Sequence, residues 1–178
     1  MYAPLKTVAG WMLPLLFLFI FGLAGCQSTE SFYRGYRVEN QSIAPLSTLE
    51  TQQGAWKTFD IDLTYQYQKT DNILNISGTT TLGLYYELNT SRIRTLDLFL
   101  FFLDDESKVL ETTYLVRRLE FNPEEKQTFV KSLNIPTEAA SIAFGYKGTA
   151  QEDGSGTDSS DGGGGSQQIF FDLPKRPR

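Results

Sequence analysis

Few side chains in this 178-residue chain have types and spacing that could do chemistry. A single cysteine, Cys26, follows Leu23-Ala24-Gly25, and there is no second thiol for it to pair with. The chain has no histidine, so the commonest general base and metal ligand is missing, and with it any serine–histidine triad. Carboxylates remain. Asp60 and Asp62 are the candidates for paired-carboxylate hydrolysis, but they alternate with apolar neighbours, which assigns them to the wet face of a strand as ordinary surface charge. Asp104-Asp105-Glu106 crowds one turn, and Asp153, Asp158 and Asp161 punctuate a glycine-rich stretch. Calcium takes about six to eight oxygens at set positions. Neither segment has that spacing, so no metal site and no cofactor is assigned, and both segments read as hydrated turn or loop.

Basic residues form two small groups, Arg117-Arg118 and Lys175-Arg176-Pro177-Arg178. The second is a short tail that is either hydrated or able to touch an anionic surface. With a formal charge of −5 and no basic stripe, the chain has no footprint for a nucleic-acid partner.

The amino-terminal segment carries the physical argument for export. Lys6 supplies a positive start, Trp11 to Phe21 is uncharged and apolar, and the small residues Ala24 and Gly25 follow. This is the order of a cleaved signal peptide. A permanent membrane helix needs about 20 apolar residues, and here Pro14 and the ending Gly22-Leu23-Ala24-Gly25 shorten the usable run. Leu23-Ala24-Gly25-Cys26 resembles the lipobox of bacterial lipoproteins. That resemblance implies cleavage between Gly25 and Cys26, with fatty acyl (palmitate-type) modification of the Cys26 thiol and usually of the new amino terminus. Two or more acyl chains anchor a protein stably where one binds only marginally. Gln27, where an aspartate would favour inner-membrane retention, points by the same resemblance to the outer membrane facing the periplasm. In a Gram-positive source the lipid would sit in the cytoplasmic membrane.

Residues 1–25 are thus expected as leader and 26–55 as lipidated terminus and tether. The tether is polar and without sustained periodicity, although Phe32, Tyr33, Tyr36 and Val38 interrupt it. Loss of Lys6 brings the charge to about −6, which favours solubility. Without cysteines to pair, the mature chain of about 150 residues must be stabilised by its core.

Residues 56–174 show strand periodicity. Phe59, Ile61, Leu63, Tyr65 and Tyr67 alternate with polar residues, as in a half-buried strand. Leu74 through Leu84 and Tyr86 continue the pattern in a second strand. Ile93–Leu103, Val109–Val116, Phe129–Ile135, Ile142–Tyr146 and Ile169–Leu173 follow, and Asn122-Pro123-Glu124-Glu125 is expected to form one helical turn. Residues 149–168 form a Gly/Ser/Asp loop and 175–178 the basic tail. Seven short strands predict an all-β, antiparallel sandwich. The pattern resembles immunoglobulin-like or fibronectin-type domains, without the paired core cysteines of antibody domains.

In Leu96–Leu103, both alternating sets are apolar. Leu96, Leu98, Leu100 and Phe102 suit the core, and a two-layer sandwich leaves the other face uncovered. Phe99, Phe101 and Leu103 are therefore either covered by the tether aromatics or the 119–126 connection, or they form a partner surface. The expected protein is a non-catalytic, lipid-anchored envelope component, bound to membrane through its lipid and to a protein partner through its sandwich. The alternatives are a carboxylate hydrolase of the envelope, or a small-ligand or metal-binding lipoprotein.

Overall fold

The computed structural model describes residues 32–39, 43–46, 50–152 and 166–176. Gly25, Cys26, the leader, the glycine stretch 153–165 and residues 177–178 lie outside the described residues. The chain is all-β, with two antiparallel sheets packed face to face. One sheet runs β2 (Gln52–Lys57), β3 (Ile61–Thr70), β4 (Ile73–Leu82) and β7 (Gln127–Asn134). The other is built on β8 (Ser141–Glu152), β5 (Thr90–Leu103) and β6 (Val109–Phe121). The free side of β8 takes the two-residue β1 (Ala44–Pro45) at one end and β9 (Gln167–Asp172) at the other.

From β2 onward the chain passes from sheet to sheet between β4 and β5, β6 and β7, and β7 and β8. As a result β7 pairs with β4, and β8 with β5. Those pairs occupy the places of strands B/E and C/F in an immunoglobulin-like sandwich, which this arrangement fits. The described residues form nine strands where seven were expected. The two extra ones, β1 and β2, come from the segment read as tether. Trp56 accounts for β2: it is buried from that strand and packs on Phe144 and Tyr146 of the opposite sheet, so burial of one large ring draws its strand onto β3.

Period-2 burial holds along the long strands. Leu96, Leu98, Leu100 and Phe102 face the opposite sheet, with Ile61, Leu63, Leu74, Ile76 and Leu82 across from them. At about 1.5–3 kcal/mol per fully buried large apolar side chain, this core is the main stabilising term.

Phe99, Phe101 and Leu103 do not form an open partner surface. They are 5%, 0% and 0% exposed, and they join Val38, Val109 and Ala143 in a second cluster on the outer side of the five-stranded sheet. Its cover is the segment 32–39. Tyr33 stands edge-on to Phe99 at 5.9 Å and to Phe101 at 5.6 Å. The backbone there is held by paired bonds. Gly35 N–H donates to Val109 O and Val109 N–H to Tyr36 O, while Arg37 and Lys175 exchange N–H···O bonds of 2.9 Å in both directions. Gly35 has φ +80°, which a side chain would strain. Part of the expected tether is therefore a strap, because three apolar side chains on the back of a sheet need a lid and these aromatics supply one.

Three further expectations change. Phe59 does not continue β3. Thr58 Oγ1 accepts the N–H groups of Asp60 and Ile61 and turns the chain just before the strand. Leu84 and Tyr86 do not extend β4, because the chain leaves the sheet at Gly83 and forms the short helix α1 (Leu84–Asn89). Tyr86, 1% exposed, then caps the end of the core. Residues 122–125 form a turn closed by Glu125 N–H to Asn122 O, in place of the expected helical turn.

Candidate functional site

Polar side chains converge at the end of the sandwich where the β2–β3 turn meets α1. Asp60 Oδ1 accepts the Tyr86 hydroxyl at 2.8 Å, and Oδ2 accepts the Tyr146 hydroxyl at 2.6 Å. Backbone bonds complete the junction, with Gly83 N–H donating to Asp60 O at 2.7 Å. A Cβ on Gly83 would lie 2.2 Å from the Phe59 carbonyl oxygen, so only glycine permits this approach. Three separate elements are thereby tied to one carboxylate.

The electrostatics of the junction favour neutral tyrosines. Burial, followed by hydrogen bonding to Asp60, pushes both the Tyr86 and the Tyr146 hydroxyl far above the ordinary tyrosine range. Each therefore stays protonated and donates, and each bond to the ionised acceptor is of the stronger charge-assisted kind. Burial also raises the Asp172 carboxyl, opposed by Lys175 and reinforced by Asp60. With both Asp60 oxygens engaged by tyrosines, the group acts as a latch for the chain around it.

The latch holds out a small apolar tip. Phe59, Leu84 and Leu88 are 66–71% exposed. Leu84 and Leu88 are one helical turn apart on α1, and Phe59 lies against Tyr85 at 5.8 Å. Polar groups surround them: Glu87 and Asn89 are exposed on the same helix, and Tyr85 hydrogen-bonds Glu152 at the start of the glycine stretch. That stretch, Asp153 to Gly165, contains no large apolar residue able to cover the tip.

Elsewhere the sequence candidates separate. Asp62 pairs with Lys57 at 3.0 Å on the surface and does not face Asp60's partners. Asp104 Oδ1 accepts the N–H groups of Glu106 and Lys108, which makes the acidic cluster a turn. Among the described residues, no group of three or more Cys, Asp and Glu side chains is placed to hold a metal. Arg117 lies over the Tyr114 ring at 4.9 Å and pairs with Asp97 at 3.6 Å, and Arg118 pairs with Glu125. Lys175, the first residue of the basic tail, is bound to Glu39 at 2.6 Å and belongs to the strap. The outer face of the four-stranded sheet is a shallow groove of 470 Å³ lined by Thr64, Gln66, Ser77, Thr79, Thr128 and Val130. No helix among the described residues is long and apolar enough to cross a membrane.

Sequence reasoning missed both the latch and the tip. A signal existed in Phe59-Asp60 beside Thr58, a turn-forming hydroxyl, and in Gly83 interrupting the second apolar alternation. Neither residue indicates which distant hydroxyls will arrive. No family model, no curated protein and no solved structure matches the chain.

Proposed function

We propose that this is a lipid-anchored, non-catalytic protein of the bacterial cell envelope whose sandwich docks onto a protein partner. Acylation of Cys26 after cleavage at Gly25 would hold it to the membrane. The observation that carries the docking is the exposed apolar tip of Phe59, Leu84 and Leu88. Three large apolar side chains held in water beside a part-buried latch whose two carboxylate oxygens are both bonded are a cost that is recovered when a partner desolvates them. The partner must offer an apolar concavity with polar groups at its rim to meet Glu87 and Asn89. Hydrolysis by surface carboxylates is the weaker alternative, because Asp60 is engaged by two tyrosine hydroxyls and Asp62 by Lys57.

A photo-crosslinking residue placed at Leu88 in cells tests this. The expected result is a discrete higher-mass adduct with one protein, absent when the same residue replaces Thr64, and abolished by Phe59→Asp in the Leu88 background. Equal labelling at both positions, or none at Leu88, would defeat the proposal. Cys26→Ser should separately move the protein out of the detergent phase.

A further inference from the structure

Resting on the lipid-anchored reading of Cys26, we propose that the outer face of the five-stranded sheet beside the strap is a membrane-contact surface, so that the sandwich lies on the lipid headgroups.

The length of the leash comes first. The strap fixes the chain from Tyr33 to Val38 against the sheet, so the expected tether 26–55 does not act as one continuous coil between lipid and sandwich. Six residue steps separate Phe32 from Cys26, and six residues span at most about 20 Å. The face carrying the strap is therefore the one kept nearest the acyl chains.

The composition of that face suits the location. Two cross-strand rows run over it. Phe171, Lys147, Asp97 and Arg117 form one, and Ile169, Thr149, Thr95 and Leu119 form the other. Phe32 stands at the edge of these rows, 5.5 Å from Tyr33, which packs on Phe99, the next outward residue of β5 after Asp97. Phe32, Leu119, Ile169 and Phe171 are 63–73% exposed. Lys147 and Arg117 sit among them, and the one carboxylate in the rows, Asp97, is paired with Arg117. The rows are thus net positive in a chain whose formal charge is −5. Apolar anchors interleaved with cations match a bilayer interface containing anionic lipid. The opposite outer face differs in both respects. It presents mostly hydroxyls and amides with Val130 as its exposed large apolar side chain, and the charges Lys57 and Asp62 on it are paired with each other at 3.0 Å.

With this face down, the strands run along the membrane plane, and the Phe59–Leu88 tip at their ends points sideways. A partner held in the same membrane would meet it there.

The lipidated full-length product, reconstituted in phosphatidylethanolamine–phosphatidylglycerol vesicles, tests the orientation. Phe171→Trp and Val130→Trp are compared in vesicles with and without brominated acyl chains. Trp56 is buried in the core and contributes the same background to both. Apolar side chains at an interface seat about 5–10 Å into the boundary. The expected result is flotation of both variants with the vesicles, and bromine quenching of the new indole about twofold or more stronger for Phe171→Trp. Flotation with equal quenching, or with stronger quenching of Val130→Trp, overturns the orientation and leaves the anchor standing. Failure of the parent to float overturns the anchor, and this inference falls with it.

Discussion

The Tyr146 hydroxyl donates to Asp60 at 2.6 Å across 86 positions of sequence. The bond joins the middle of β8 to the turn that opens β3, and Tyr86 completes it from α1. Its removal leaves two buried hydroxyls without their charged acceptor. A hydrogen bond to a charged group is worth about 1.5–3 kcal/mol. Because the two bonds share one carboxylate, their losses will not simply add. Asp60→Ala is expected to lower unfolding free energy by about 2–4 kcal/mol, read as an earlier urea midpoint with unchanged slope. Tyr146→Phe should cost less, since Asp60 keeps the Tyr86 bond. Wild-type midpoints for both variants would show that the latch contributes nothing to stability.

Alkaline pH should unfold the domain by a route with a definite sign. The folded state raises the hydroxyls of Tyr33, Tyr65, Tyr67, Tyr86 and Tyr146, with burial the first cause in each. The unfolded chain ionises these groups at about pH 10. Above that pH the folded state binds more protons than the unfolded one, so stability falls as pH rises. Below it the contribution is fully present. Phenolate absorbance is expected to appear late and cooperatively with loss of circular dichroism. Smooth ionisation of all tyrosines near pH 10 with the fold intact would contradict the burial of these hydroxyls.

The strap should behave as part of the core. Phe101→Ser removes a fully buried ring and inserts a hydroxyl, at an expected cost of about 3–5 kcal/mol. Tyr33→Ala uncovers Phe99 and Phe101 without touching the sheet, and about 2–4 kcal/mol is expected. Its particular mark is faster proteolysis within residues 32–39 while the strands keep their amide protection. Protease resistance equal to the parent would mean that the strap is held by its backbone bonds alone.

How far the molecule was legible in its sequence varies by residue. Ile61, Leu63 and Tyr67, and the inward set from Leu96 to Phe102, could be assigned from alternation, because a strand's two faces are a local property with a period of two. The all-β sandwich follows from those runs and the turns between them. Even the problem posed by Phe99, Phe101 and Leu103 was visible, since an apolar second face must be covered by something.

What covered them was decided by tertiary structure. Strap binding depends on Val109 and Lys175, far apart in sequence, offering backbone partners side by side, and no local pattern encodes such a meeting. Phe59 and Tyr86 fit the alternation of their segments yet left it. A turn at Thr58 and a close approach at Gly83 place Tyr86 under Asp60, where burying its ring and bonding its hydroxyl outweigh continuing β4. Residue order determines which side chains can face inward together; which carboxylate receives which hydroxyl depends on segments brought together only when the two sheets close.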